Sequence, residues 1–295
     1  MIYTLTVTPS LDYHFSLDHI AIGTVMHAHQ AYYTPGGKGI NVSRALTALG
    51  VPNKAFGFIA GINGTVVEKM LDKEKVLYDF INIEGETRIN VKVNSKEGET
   101  AFNLNGPIII EEHLKMLYEK LDRLENGDIL IMAGSVGRSS PRLYKEIISR
   151  YGSKFLCCVD AHGEALQEAM NAHPFFIKPN IQELSEYAKK DLTIDELPEY
   201  ASSLVKEKGI NYLLVSYGKE GALLASPTGV IQKKFTRFNR KVISTVGAGD
   251  VLVAAFLSKL NEGELPERAL AYGVKAAAGF CYLGHVPSVK EIAEL

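Results

Sequence analysis

The sequence predicts an α/β fold in which a central, mostly parallel sheet carries helices on both faces and a small β-sheet closes over its mouth. Three observations predict it. Short apolar runs bounded by turn residues alternate with stretches of helical period, as βα units do. Polar clusters fall where those runs end. Two further segments break the alternation with strand-like period and no helix between them. The chain has 295 residues, 46% hydrophobic and 22% charged, enough for one large core. No Pro/Gly/Ser-rich linker, repeat or low-complexity tract divides it, so residues 1–295 read as a single domain.

The apolar runs lie at Ile2–Thr8, Ala55–Ala60, Ile129–Ala133, Phe155–Asp160, Phe175–Lys178 and Tyr212–Ser216. Near-continuous apolar strands are what a sheet buried on both faces requires. In such a sheet ligands collect at the carboxyl ends of the strands. There the chain places Pro9-Ser10-Leu11-Asp12, Gly134-Ser135, Asp160-Ala161-His162-Gly163, Pro179-Asn180 and Gly218, which points to one composite site.

The segments that break the alternation are residues 12–33 and a hairpin, Thr87–Asn94 with Thr100–Asn105, turning near Lys96-Glu97-Gly98. In the hairpin Arg88, Asn90 and Lys92 alternate with Ile89, Val91 and Val93, so one face is polar and basic. An ordinary solvent-exposed hairpin shows the same pattern. If both segments pair over the main sheet, residues of about 12–34 and 87–105 form a lid.

Two glycine-rich turns carry the chemistry. Val246-Gly247-Ala248-Gly249-Asp250 opens an apolar helix from about Val251 to Leu260. Backbone N–H groups at such a helix start have no intrahelical partner and sit at the positive end of the dipole, which suits an oxyanion. Asp250 would stand beside that anion, positioned to take a proton from an attacking hydroxyl and with its pKa lowered by the dipole. An Asp that merely caps the helix is the competing explanation. The second turn, Pro35-Gly36-Gly37-Lys38-Gly39, precedes the helix Ile40–Leu49 and the terminating Gly50. Here Lys38 supplies a movable cation, and Asn41 both donates and accepts hydrogen bonds. Gly39 occupies the place of the P-loop Ser/Thr, and Leu252 that of the third glycine of a dinucleotide fingerprint, so neither motif fits. Two such turns, each opening a helix, suggest two anions, or an anion and a sugar, in one cleft.

Composition excludes other classes. A net charge of −2 without any Lys/Arg run gives nucleic acid no electrostatic footprint. The N-terminus lacks a basic n-region and no segment approaches a membrane span, so a cytoplasmic protein with no membrane partner is expected. Cys157 and Cys158 are adjacent and Cys281 stands alone, which fits neither metal-ligand spacing nor a disulfide framework. His162 and His285 fall near loop mouths without partners that would give them a role.

Gly36-Gly37-Lys38-Gly39-Ile40-Asn41-Val42-Ser43-Arg44 and Ser244-Thr245-Val246-Gly247-Ala248-Gly249-Asp250 resemble the two signature regions of the ribokinase-like PfkB carbohydrate kinases, in order, separation and helix context, over essentially the whole chain. Thr8-Pro9-Ser10-Leu11-Asp12, Thr87-Arg88-Ile89-Asn90-Val91-Lys92, Ala133-Gly134-Ser135, Gly163-Glu164-Ala165-Leu166 and Lys178-Pro179-Asn180-Ile181-Gln182-Glu183 are similar to further family elements. The resemblance implies a ribokinase-like fold and transfer of the ATP γ-phosphoryl group, with Mg²⁺, to a hydroxyl of a sugar phosphate. D-fructose 1-phosphate is the substrate implied, with tagatose 6-phosphate the alternative and a sugar-phosphate-binding regulator a third possibility.

By the same resemblance Asp250 is the base, and Gly247, Ala248 and Gly249 form the anion hole. Asp12, Gly36, Gly37, Asn41 and Asn90 lie along the sugar. Arg88 and Lys38, with Arg138 behind them, meet the phosphate that the substrate already carries. Lys178, Asn180, Ser216, Gly218, Gly221 and Gly249 serve the nucleotide, and Asn180 and Glu183 hold waters around Mg²⁺. Tyr217 replaces the family's usual leucine, and Gly137-Arg138-Ser139 stands where relatives tend to have Pro-x-Gly. Exposed lid strands commonly take a partner, so a homodimer joined lid to lid is expected.

Overall fold

A computed structural model describes residues 1–238 and 240–295. In chain order the elements are β1 (Ile2–Thr6), β2 (Ser10–Ser16), β3 (Gln30–Gly36), α1 (Lys38–Ala48), β4 (Asn53–Ile59), α2 (Gly61–Lys73), β5 (Ile81–Asn82), β6 (Arg88–Ser95), β7 (Gly98–Asn103) and α3 (Glu111–Leu121). Next come β8 (Ile129–Ala133), α4 (Leu143–Tyr151), β9 (Leu156–Asp160), α5 (Gly163–Met170), β10 (Phe176–Ile177), α6 (Ile181–Ala188), α7 (Leu197–Lys208) and β11 (Tyr212–Ser216). A 3-10 turn (Gly218–Glu220), β12 (Ala222–Ser226), β13 (Gly229–Lys233), α8 (Ala248–Asn261), α9 (Pro266–Leu283) and α10 (Val289–Glu294) complete it.

The main sheet runs β13-β12-β11-β10-β9-β8-β1-β4-β5. It is parallel from β11 to β5 and antiparallel only at the β11–β12 and β12–β13 edge. Each face has its own core. Along β8, Leu130 and Met132 join the core under α3, α4 and α5, while Ile129 and Ile131 join the one under α1, α8 and α9. The two-residue period of a strand thus serves both faces at once, which explains the unbroken apolar runs. From β1 the chain grows outward through β4 and β5, then returns to β8 on the other side. The strand order therefore reverses between β1 and β8, and a crevice opens at the carboxyl ends there. The Thr8 hydroxyl donates to the Ser135 carbonyl at 3.1 Å across that crevice.

The six apolar runs are β1, β4, β8, β9, β10 and β11. Expectation and structure differ at the sheet's edges: β5 has two residues and β13 little apolar period, while β12 is an apolar run like the central strands that the sequence reading leaves out.

The segments that interrupt the alternation form a separate sheet, β3-β2-β6-β7. Its outer pairs are antiparallel and β2–β6 is parallel, setting Ser10 beside Arg88, Asp12 beside Asn90 and His14 beside Lys92. Residues 17–29 between β2 and β3 contain no strand. The site-facing side collects the polar residues. The opposite side carries Tyr13, Phe15 and Tyr33, with Tyr13 and Tyr33 stacked at 4.2 Å.

Candidate active site

The first half of the site is the start of α8. Gly247 precedes the helix with φ of 97°, a left-handed conformation that suits glycine. The Ala248 N–H donates to the Thr245 carbonyl at 3.2 Å. Among the described residues the N–H groups of Gly247, Gly249 and Asp250 have no protein acceptor, so the turn keeps three donors, one of them different from the set expected. Beside them Asp250 is buried, 6% exposed, and its carboxylate accepts the Asn41 amide at 2.8 Å. Burial, and then the negative charge of Asp160, push the Asp250 carboxyl up to about 6, against Lys38, Asn41 and Lys178. The depression expected from the helix dipole is overturned, since loss of water and a like charge outweigh the N-terminal field.

Asp160, the last residue of β9, is the hub of this half. It is 1% exposed, and its Oδ1 accepts Lys38 Nζ at 2.8 Å and lies 3.4 Å from Lys178 Nζ. Burial alone would raise its pKa, but the two ammonium groups bring it below the ordinary carboxylate value. Among the described residues its Oδ2 has no hydrogen-bond partner. Burial opposes the charge on Lys38 too, yet Asp160, with Asp250 and Glu183 behind it, holds that lysine's pKa above its usual value. The carboxylates around Lys38 are therefore these three, whereas the one beside Arg88 is Asp12. Placing Lys38 with Arg88 on one substrate phosphate is not what the geometry favours: Lys38 belongs to the Asp250 end. Lys178 approaches the other side of the turn, 3.7 Å from where a Cβ on Gly249 would be.

The second half is the polar face of the small sheet. Asp12 Oδ1 accepts Ser10 Oγ at 2.6 Å and Asn90 Nδ2 at 2.9 Å, and Oδ2 pairs with Lys92 Nζ at 2.7 Å. Burial works against this carboxylate, but the charge and hydrogen bond of Lys92, helped by Ser10 and Asn90, hold its pKa below normal. A Cβ on Gly36 would overlap the Asp12 carboxylate, so the first glycine turn is fixed by the backbone's close approach to this cluster. Gly37 follows with φ of 111° and leads into Lys38 and Asn41. Among the described residues two buried atoms on this face lack partners, Asn90 Oδ1 and Arg88 Nε. Burial lowers the Arg88 pKa while Asp12 opposes it, so the guanidinium is a half-buried cation with unmet hydrogen-bonding capacity. Arg138 is exposed and stands in the wall of a groove of 910 Å³ with Gly106, Ile108 and His113. That groove adjoins Arg88, since a Cβ on Gly106 would lie 3.8 Å from Arg88 Cδ.

On the side expected to meet the nucleotide, Ser216 ends β11 and its N–H donates to the Pro179 carbonyl at 3.2 Å; Gly218 and Gly221 shape the 3-10 turn that follows. Asn180 and Glu183 bind one another. The Asn180 N–H donates to Glu183 Oε2 at 2.7 Å and the Glu183 N–H to Asn180 Oδ1 at 2.8 Å, a reciprocal cap of α6. The spacing read as suited to a metal's waters thus has a structural use, and only Glu183 Oε1 and the Asn180 NH₂ remain free of it. His162 precedes α5 without a side-chain cap bond, and His285 pairs with Glu291 at 3.0 Å. Cys157, Cys158 and Cys281 are buried free thiols.

The sequence groups Asp160 with the polar clusters at the strand ends and Lys92 with the basic hairpin face, but assigns neither an individual role. A carboxylate ending an otherwise apolar buried strand was the available signal for the first. For the second it was the period that links Lys92 to Asn90 and Arg88.

The pfkB family carbohydrate kinase model matches residues 12–281. The chain is 34% identical to the 1-phosphofructokinase of Borreliella burgdorferi, covering 100% of this chain and 96% of that one, and 36% identical to that of Bacillus subtilis, covering 96% and 93%. It is 32% identical to the tagatose-6-phosphate kinase of Staphylococcus epidermidis, covering 93% and 91%. Among solved structures, phosphofructokinase-2 from Escherichia coli, in complex with substrates and products, superposes with a TM-score of 0.93 at 30% identity, covering 99% of this chain and 97% of that one. No helix among the described residues is long and apolar enough to cross a membrane. With both glycine turns inside the matched region and similarity along its full length, the chain belongs to the pfkB family of carbohydrate kinases, with a ribokinase-like fold and the phosphotransferase activity of that family.

Proposed function

We propose that the protein transfers the γ-phosphoryl group of ATP to the C6 hydroxyl of D-fructose 1-phosphate, giving fructose 1,6-bisphosphate and ADP. The observation that carries this reading is Asp250: a buried carboxylate in contact with a neutral amide rather than a cation, its pKa raised to about 6, beside three free N–H donors. As the hydroxyl oxygen bonds to phosphorus and the bond to the ADP oxygen breaks, the hydroxyl proton passes to Asp250. Phosphoryl transfer has a loose transition state, so alignment and charge neutralisation matter more than base strength. The N–H groups of Gly247 and Gly249, with Lys38 and Lys178 on either side, supply that neutralisation. Asp12, Gly36, Gly37, Asn41 and Asn90 line the sugar. Arg88 grips the phosphate already present, with Arg138 beyond it at the open groove.

Ser216, Gly218 and Gly221 support the nucleotide, which brings Mg²⁺ with it. Among the described residues no three His, Cys, Asp or Glu side chains cluster as a metal site. The ion's ligands would then be phosphate oxygens and waters, with Asn180 and Glu183 offering the free amide and Oε1 to those waters. Bound there, Mg²⁺ neutralises phosphate charge. ATP and sugar phosphates place the reaction in the cytoplasm. The apolar outer face of the small sheet, with Tyr33 and Phe102 half exposed, fits a homodimer joined through the lids. Light scattering that finds only monomer at working concentrations ends that part of the reading.

Tagatose 6-phosphate is the second substrate to weigh, because the Staphylococcus epidermidis kinase is similar over most of both chains. The two substrates place the existing phosphate at opposite carbons but both present it away from the base, so the same cations serve either. They differ at the C4 hydroxyl, where a buried partner discriminates strongly. The test is kcat/KM for both sugars under identical MgATP. A clear preference for fructose 1-phosphate is expected, and preference for the tagatose substrate overturns the substrate while leaving the kinase intact.

A further inference from the structure

We infer that Asp160 is a positioning residue that holds Lys38 and Lys178 on either side of the phosphoryl path and, by taking both ammonium groups on one oxygen, keeps them off the carboxylate of Asp250. The inference rests on the reading of Asp250 as the base. Asp160 is 1% exposed at the end of β9, a place where a lone carboxylate is costly. One of its oxygens takes both lysines, at 2.8 and 3.4 Å, and these come from different elements. Lys38 opens α1 behind the sugar-side turn, and Lys178 follows β10, two residues before the α6 cap. Without Asp160 two ammonium groups would repel across the same space, and each would be drawn to the other available carboxylate, Asp250.

The groups around Asp250 make the direction of the effect definite. Asn41 and Lys38 face it from α1, Asp160 from β9 and Lys178 from the segment that follows β10. The lysines and the Asn41 amide favour its ionised form; Asp160 disfavours it directly and also by occupying the lysines. Removing the charge of Asp160 therefore lowers the Asp250 pKa twice over, through lost repulsion and through freed cations. Removing the charge of Lys38 raises it. A residue needed only for packing produces neither shift.

The experiment is the pH profile of kcat/KM, which reports the base in the free enzyme, for wild type, Asp160→Asn and Lys38→Met with MgATP and fructose 1-phosphate. Asp160→Asn keeps the side chain's shape. Its acid limb is expected to move to lower pH while activity falls about a hundredfold, the scale of misplaced reacting groups. Lys38→Met is expected to lose activity and move the limb to higher pH. Limbs that coincide with wild type in both variants overturn the inference, whatever the loss of rate. Should Asp160→Asn yield no folded protein, Lys38→Met, whose side chain is 32% exposed, decides alone: an upward shift supports the charge hub and an unmoved limb sinks it. Asp250→Asn, run in parallel, separates the two readings. If the limb persists there, Asp250 is not the base and the underlying mechanism fails; if it vanishes there but does not move in the other variants, only the role of Asp160 fails.

Discussion

Asp12 and Asp250 are equally buried, 6% exposed each, and burial pushes the pKa of both upward. Yet one ends below the ordinary carboxylate value and the other at about 6. The difference lies in what touches them. Asp12 is in direct contact with a cation, Lys92, and takes two more hydrogen bonds from Ser10 and Asn90. Among the described residues the Asp250 carboxylate takes its hydrogen bond from the Asn41 amide, while the nearby lysines are held by Asp160. Solvent access does not distinguish a carboxylate that binds from one that accepts a proton; the sign and distance of the nearest charge do.

The comparison breaks most visibly at Asp250. Asp250→Asn is expected to lower kcat by at least about a hundredfold with ATP affinity little changed, since loss of a general base costs on the order of 10²–10⁴. Turnover close to wild type in a steady-state assay would mean that Asp250, like Asp12, is only a binding group. The next largest effect concerns the lid. Arg88→Ala should weaken fructose 1-phosphate binding by about 1.5–3 kcal/mol, the loss of one charge-assisted phosphate contact, and leave ATP binding nearly intact. Calorimetric titration of each ligand separately checks this, and equal losses for both would mark a folding defect instead of a lost contact.

These two regions also show how differently a site can be written in a sequence. The Asp12 cluster lies on neighbouring strands, and its geometry follows from strand period: Arg88, Asn90 and Lys92 must share a face, and a glycine must stand where Asp12 meets the chain. That much is legible in one dimension, although the pairing of Lys92 with Asp12 is not, because it depends on β6 lying beside β2. The Asp250 cluster joins residues 122 and 209 positions apart. Its turns are legible as glycine patterns. The placement of Asp160 under both lysines is not, because it depends on which strands are neighbours in the sheet. The fold divides the same way: the apolar central strands could be read, whereas β5 and the β12–β13 edge are set by pairing with strands already in place.

A third expectation sharpens the contrast through pH. If Asp250 is the base and titrates near 6, kcat/KM should fall about tenfold per unit as pH drops below that value, because only the ionised carboxylate accepts the proton. Asp12, with its pKa lowered, stays ionised through that range and should add no second limb there. A profile flat down to pH 5 would show that burial and Asp160 do not act on Asp250 as described. A limb steeper than one proton would bring Asp12, or another group, into the same titration.

The smallest effect is expected where the site meets plain helix chemistry. Asn180 and Glu183 close a reciprocal cap on α6, and losing such a cap costs about 0.5–2 kcal/mol of stability. Asn180→Ala and Glu183→Ala should therefore each lower the unfolding midpoint modestly. If the atoms left free by the cap also hold waters of the nucleotide's Mg²⁺, the same variants should need more Mg²⁺ to reach half-maximal rate. Glu183→Gln separates the two roles: its amide oxygen can still accept the Asn180 N–H, but the group no longer brings a negative charge to the metal's waters. A variant with near wild-type stability and a raised Mg²⁺ requirement supports the second use of the cap. Metal dependence equal to wild type in all three variants would leave Asn180 and Glu183 as residues of the helix alone, and the ion's affinity would then rest on the phosphates it arrives with.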